Sequence, residues 1–273
     1  MTKPYITVIT STYNAVGTLR RCLDSVESQP YPDIEHIIID GNSTDGTQDI
    51  IAEYASKPEN RISYWKSEPD SGIYDAWNKA LPHINGEWVL FLGADDYYLE
   101  DVFSKVVPVL EALPNDVVIA YGKIFICDGI TGEVLRTMGE DNWDTLKNAF
   151  FRGEGMLPHP AVCHRSSLFS KSEGFDVSYK IAGDYDFLYS VLQDSTPIFF
   201  DIPMVNFSNM GISSNPSHHL ICRRENIRLV KKHGGSIRLL YHVANAKLYL
   251  LDFCTRHHLI IIHNMISKIR KFW

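Results

Sequence analysis

Four short stretches in the first third of the chain are apolar almost throughout: "ITVIT" at 6–10, "HIIID" at 36–40, "ISYW" at 62–65 and "WVLFL" at 88–92. A strand with one wet face alternates apolar and polar residues, so near-continuous apolar character calls for cover on both faces. The chain carries that cover between the strands, as helical patterns near 17–28, 48–56 and 73–81, the second preceded by the turn signal "NSTDGT". Repeated strand–helix units of this kind build an α/β fold with a doubly wound, mostly parallel sheet. Such sheets bind ligands at the carboxyl ends of their strands.

Polar residues stand where that crevice should lie. Ser11, Tyr13 and Asn14 follow the first strand, Asp40 the second, and Asp95 and Asp96 the fourth. The turn after the first strand, "TSTYNAVG", has neither the GxGxxG of a dinucleotide site nor a P-loop. The stretch "FLGADDYY" at 91–98 drives an apolar strand into two adjacent carboxylates. Two such charges repel unless a cation lies between them. Mg2+ or Mn2+ suits the pattern, because a hard ion takes one or two carboxylates and completes its shell with phosphate oxygens and water. The competing reading is that the pair caps the helix that follows near Leu99.

At 273 residues, with 45% hydrophobic and 22% charged, the chain can bury one large core, with or without an appendage. Its five cysteines are odd in number, widely spaced and without a CxxC pair, which fits a reduced, cytosolic compartment. The start "MTKPYITVIT" lacks the basic-then-apolar pattern of a signal peptide, and the sequons at Asn42 and Asn206 read as chance matches. The net charge of −7 hides a division. Residues 221–273 hold eleven Lys/Arg against Glu225 and Asp252, whereas residues 1–220 hold fifteen against thirty-one acids. The tail must therefore meet a different partner from the body.

On a helical wheel Leu259, Ile261, Ile262, Met265, Ile266, Ile269, Phe272 and Trp273 share one half, opposite Lys268, Arg270 and Lys271, with Ile260 and His258 as exceptions. The run is too short to span a bilayer, and a basic amphipathic helix ending in Phe-Trp suits an anionic membrane surface. Packing on the body, or against a second subunit in a homodimer, is the alternative.

Five segments, "VITSTYNAVGTLRRCLDSV", "EHIIIDGNSTDGT", "SEPDSGIYDAWNKAL", "GEWVLFLGADD" and "IAGDYDFLYSVL", occur in the order and spacing of family 2 glycosyltransferases. The chain resembles the bacterial polysaccharide-building branch of that family over roughly residues 5–195. The resemblance implies a GT-A fold over residues 1–215, with a donor half to about 98, an acceptor half from 99, and a basic helical extension at 216–273. It implies that Ser11, Tyr13 and Asp40 meet the base and ribose of a nucleotide sugar, and that Asn14, Asp70, Gly72 and Asn78 belong to the same donor site. Asp40 makes UDP the favoured nucleotide, with GDP and dTDP left open.

The family's metal motif is usually written DADD; here Gly93 replaces the first aspartate, and Asp95 and Asp96 jointly take metal and donor. "AGDYDF" matches the segment usually written EDYD, so the resemblance implies Asp184 as general base of an inverting transfer, with Gly183 where an acid is common and Asp186 as the choice in another register. His159, His218 and His219 are secondary candidates, for the acceptor side and for a third metal ligand. The implied partners are a nucleotide-sugar donor, a lipid-linked glycan acceptor and the inner membrane face, with no nucleic acid. Two competitors fit less well. A sugar nucleotidyltransferase would need a basic triphosphate loop that "TSTYNAVG" lacks, and a non-catalytic sugar-binding subunit draws its support from Gly93 and Gly183.

Overall fold

The computed structural model describes residues 5–139, 141–211 and 218–237. The expected strand–helix alternation is present: β1 (Ile6–Thr12), α1 (Leu19–Glu27), β2 (Ile34–Asp40), α2 (Thr47–Ala55), β3 (Ile62–Ser67), α3 (Ile73–Ala80) and β4 (Trp88–Phe91). There follow β5 (Tyr97–Tyr98), α4 (Val102–Glu111), β6 (Ile119–Cys127), β7 (Val134–Met138), α5 (Trp143–Phe150), β8 (Val162–Arg165), α6 (Ser167–Lys171), α7 (Gly183–Gln193), β9 (Ile198–Ser208) and α8 (His219–Lys232).

One sheet runs in the order β3-β2-β1-β4-β8-β6-β9-β5, with β7 paired to β6. The first four strands in that order are parallel, and β1 lies between β2 and β4. Beyond β4 the pairing is mixed: β8 is antiparallel to β4 and β6, while β9 is parallel to β6.

The apolar strands are covered on both faces, as their composition requires. Along β4, Trp88 and Leu90 join the cluster containing α1 and α4 residues, whereas Val89 and Phe91 join the one containing α3, α5, α7 and α8 residues. The period of two in the strand thus sorts alternate side chains into two cores. Helix α1 presents Leu19, Cys22, Leu23 and Val26 on one stripe, the 3.6-residue pattern that docks a helix on a sheet.

Helix α8 changes the expected domain layout. The extension proposed to begin at 216 does not start as an appendage: Leu229 and Val230 are fully buried in the main core. The amphipathic stretch at 257–273 lies outside the described residues. Among the described residues no helix is long and apolar enough to cross a membrane.

Candidate active site

The carboxyl ends of β1, β2, β3 and β4 carry the predicted donor residues, so parallel pairing alone brings them to one edge. Thr12 is in register with Asp40, and Asp40 with Ser67. Ser11 stands half-buried near the end of β1. Asn14 adopts a left-handed backbone (φ 49°), which asparagine tolerates better than most residues. Its N–H donates to Ser43 Oγ (2.8 Å), and its side-chain oxygen accepts from Thr44 N (3.0 Å), stitching the first loop to the second. Tyr13 is 67% exposed, an aromatic face on the rim available for stacking.

Asp40 takes a different place from the one expected of it. It is fully buried, and its carboxylate accepts from Ser43 N (2.9 Å), Ser43 Oγ and Ser67 Oγ (2.6 Å). A carboxylate so occupied organises the rim rather than meeting a base. The group at the surface is Asp70. A Cβ added to Gly41 would lie 2.7 Å from Asp70 Oδ2 and 3.3 Å from the Tyr13 ring. The missing side chain at Gly41 therefore lets Asp70 and Tyr13 close over the backbone together. Asp70 Oδ1 accepts from Gly72 N (2.9 Å), and Gly72 turns the chain into α3 at φ 129°, a conformation costly for any residue with a Cβ. Asn78 has its polar atoms engaged elsewhere. Its amide bonds both the N–H and the carbonyl of Phe175 (2.8 Å each), so it joins α3 to the 175 loop, and it lines a cavity with Leu81 and Phe169.

Asp95 and Asp96 follow β4 and share one gap. A Cβ on Gly93 would lie 2.8 Å from Asp96 Oδ2 and 3.0 Å from Asp95 Oδ1, so the pair fills the room that the usual first aspartate needs. Asp96 is 3% exposed, and its Oδ1 accepts from Ser208 N at the end of β9 (2.8 Å). Burial, then the neighbouring Asp95 charge, pushes the Asp96 carboxyl well above the usual range; burial raises Asp95 as well. The Arg21 guanidinium, 4.3 Å over the Tyr97 ring, bonds the Asp95 carbonyl (3.3 Å) and offsets part of this cost. Two hard oxygens facing a common gap, each costly to ionise without a cation, fit a Mg2+- or Mn2+-sized ion. Among the described residues no cluster of three or more His, Cys, Asp or Glu forms.

Asp184 sits in the first turn of α7, half-buried. Its Oδ1 accepts from its neighbour's N–H, Tyr185 N (2.8 Å), and lies 3.1 Å from the Tyr74 hydroxyl of α3, which also reaches the Ile181 carbonyl (2.5 Å). Burial outweighs these bonds and pushes its pKa up to about 6, a value suited to a base near neutral pH. Gly183 belongs to the same arrangement. An added Cβ there would lie 2.8 Å from the Tyr74 ring, so the acid common at this position is replaced by space for Tyr74. Asp186 is turned away: buried, it pairs with Lys232 (2.8 Å) and His233 (2.9 Å) at the end of α8. The register that makes Asp184 the candidate base is thus the one in which the carboxylate faces α3.

His159 is a core residue. Buried and stacked on Trp77 and Phe91, it is pushed down to a pKa of about 3 by burial. His219 begins α8, and His218 is its N-cap residue. The positions that sequence reading passed over are Ser43, Ser67, Tyr74, Ser208 and Glu225. Of these, Ser43, Ser67 and Tyr74 lie inside quoted motifs; Ser208 and Glu225 carry no local signal. A cavity of about 290 Å³, lined by Gly72, Tyr74, Asp75, Tyr179 and Lys180, adjoins α3 on the Tyr74 side. A larger one of about 650 Å³ opens at the far end of α3, against Leu81, Gly86 and Phe169, away from the carboxylates.

The sequence profile of glycosyl transferase family 2 matches residues 7–171. An uncharacterised glycosyltransferase of Mycobacterium tuberculosis is 34% identical over 214 residues, 78% of this chain and 78% of its own length. A PGL/p-HBAD biosynthesis glycosyltransferase of Mycobacterium bovis is 33% identical over 219 residues, 79% of this chain and 81% of its own. The putative teichuronic acid biosynthesis glycosyltransferase TuaG of Bacillus subtilis is 42% identical over 103 residues, 38% of this chain and 40% of that protein. Two solved structures share the fold at low identity. Staphylococcus aureus TarS in complex with UDP-GlcNAc superposes at a TM-score of 0.65 with 19% identity, over 98% of this chain and 76% of that one. A mannosyltransferase of Pyrobaculum calidifontis in complex with GDP-Man and Mn2+ gives 0.66 with 17% identity, over 98% and 81%. These neighbours are GT-A glycosyltransferases, and the expected fold class holds.

Proposed function

The chain belongs to glycosyl transferase family 2, and from that premise we propose that it moves one sugar, with inversion, from a nucleoside-diphosphate donor to a lipid-linked glycan acceptor in cell-surface polysaccharide synthesis. The names of its relatives, for PGL/p-HBAD and for teichuronic acid biosynthesis, support that setting. One observation carries the reading. The segment from Asp70 to Tyr74 lies against Gly41, which Tyr13 also flanks, at one end and reaches Asp184 at the other. A donor held at the rim and a base at Asp184 are thereby fixed relative to each other by five residues of chain.

In this reading Tyr13 stacks on the base, and Asp70, in place of the buried Asp40, accepts from its imide N–H, which suits uracil. Ser11, Asn14 and Gly72 form the surrounding wall. Asp95 and Asp96 hold the divalent ion, which when bound supplies positive charge to the departing diphosphate. The acceptor enters by the cavity beside Tyr74, and its hydroxyl attacks the anomeric carbon from the face opposite the nucleotide. Asp184 takes the hydroxyl proton as that bond forms. Tyr74 packs beside the carboxylate, its one hydroxyl proton shared between Asp184 Oδ1 and the Ile181 carbonyl. Gly93 and Gly183, the two departures from the family pattern, do not argue for a non-catalytic subunit, because neighbouring side chains fill both positions.

The basic tail at 257–273 serves, in this proposal, to hold the acidic body on an anionic leaflet where a lipid-linked acceptor presents its sugar.

The test is a thermal-shift screen of UDP, GDP and dTDP with Mn2+ and with EDTA. A nucleotide at about a hundred times its Kd stabilises by about 2.7 kcal/mol. UDP should raise the melting temperature much more with Mn2+, and equal shifts in Mn2+ and EDTA would remove the metal from the proposal. A chain lacking 257–273 should keep this response but no longer sediment with anionic vesicles.

A further inference from the structure

Helix α7 begins without a local cap. Its N-cap residue is Ala182, which has no side-chain acceptor, yet the residue two positions on is Asp184. Tyr185 N of the first turn is taken locally by Asp184 Oδ1, whereas the N-cap amide of Ala182 and the two N–H groups that lead into it are satisfied from α8, more than forty residues along the chain. Glu225 is 9% exposed, and its carboxylate accepts three consecutive backbone N–H groups: Lys180 N at Oε1 (2.7 Å), then Ile181 N and Ala182 N at Oε2 (2.9 Å each). A buried carboxylate on several backbone donors makes short, charge-assisted bonds, and its negative charge suits a helix N-terminus. The same stretch is closed from the other side by Tyr74, whose hydroxyl donates to Ile181 O. Farther along α8, Arg228 lies over the Tyr179 ring (4.3 Å) and Lys232 pairs with Asp176 (3.2 Å).

We propose that Glu225 is the positioning residue for the Asp184 carboxylate, a cap supplied in tertiary structure by α8 that fixes residues 180–182 and hence where the base meets the acceptor hydroxyl. The inference rests on the reading of Asp184 as base. It also assigns α8 to the catalytic unit, which the family match at 7–171 does not reach. The titratable groups that face Asp184 are Tyr74 from α3 and Glu225 and Cys222 from α8. The Glu225 charge adds to the burial that raises Asp184, so its removal should lower the acid limb of the rate profile.

Glu225→Gln keeps the volume and one acceptor oxygen while removing the charge. Turnover is read as nucleotide release from whichever donor a panel of UDP-, GDP- and dTDP-sugars selects. Because a misplaced group can cost about a hundredfold, E225Q should lower kcat by about 10- to 100-fold. UDP affinity should be unchanged within about twofold, the acid limb should move to lower pH, and hydrogen exchange at 180–182 should quicken. Leu229→Ala weakens the packing of the same helix without touching the cap. It should lower the melting temperature and leave the limb in place.

The proposal is overturned if E225Q keeps wild-type turnover and limb while 180–182 exchanges faster, or if E225Q and L229A both lose activity only in step with the unfolded fraction. Should E225Q fail to fold, Glu225→Asp, which retains charge but shortens reach, must show the kcat loss with the limb in place, or the proposal fails. Wild-type turnover in Asp184→Asn would instead refute the base assignment itself.

Discussion

The two ends of the crevice are built by opposite means. On the donor side the loops are held by side chains close in sequence or on adjacent strands: Asp40 bonds Ser43 three residues on, Asp45 bonds Thr47 two residues on, and Asn14 reaches the neighbouring loop at Ser43 and Thr44. On the side of the proposed base one contact is local, Tyr185 N to Asp184, and the contacts that place the segment are remote, Tyr74 to Asp184 across 110 positions and Glu225 to residues 180–182 across 43 to 45. Parallel pairing of β1–β4 places the donor loops side by side whatever the rest of the chain does. The base has no such guarantee, because the first turn of α7 takes its position only when α3 and α8 are both docked. The donor rim should accordingly tolerate single losses better than the base does.

The largest expected effect is at the proposed base. Asp184→Asn keeps shape and removes the proton acceptor, so turnover should fall by at least about a hundredfold while UDP binding persists. Its pH behaviour is signed. The folded-state pKa lies near 6 against an ordinary 3.8, so the wild-type rate should fall as pH drops below about 6. The same shift means the folded state binds that proton more tightly than the unfolded one. Asp184 therefore destabilises the fold above pH 6, and the cost is relieved as pH falls from about 6 toward 3.8. Asp184→Asn should thus raise the melting temperature at neutral pH while abolishing the acid limb. A rate loss there without the gain in stability would mean that the carboxylate is not held in this buried setting.

A smaller effect separates the two acids of "GDYD". Asp186→Asn leaves the base alone and removes the buried partner of Lys232 and His233. It should cost about 1–3 kcal/mol of stability, measured by denaturant melts, with turnover per folded molecule nearly unchanged. If Asp186→Asn stops turnover and Asp184→Asn does not, the register is two residues off.

The smallest effect is expected on the donor rim. Ser43→Ala takes away one bond to Asp40 and the acceptor for Asn14 N, yet Ser67 still holds Asp40. About 1 kcal/mol of stability and a few-fold rise in donor KM should follow, with kcat kept. A fall in kcat as large as that of Asp184→Asn would break the contrast between local and remote support.

The sequence by itself determined the strand–helix alternation of the first half, the parallel edge carrying Ser11, Tyr13, Asp40, Asp95 and Asp96, and the family. All of these follow from periodicity or from short motifs whose members are neighbours in the chain. Tertiary structure decided which of those residues face the crevice. Asp40 and Asn78 sit inside matching motifs, but Ser67 of the next strand and the Phe175 backbone claim their polar atoms, and nothing local announces those partners. Glycines showed the same limit. Gly41, Gly93 and Gly183 read as departures or fillers in one dimension, whereas in three each is the space taken by a carboxylate or a ring from another segment. Glu225 was invisible for the same reason: a hydrogen bond spans about 3 Å in space, and its partners here are more than forty residues away in the chain.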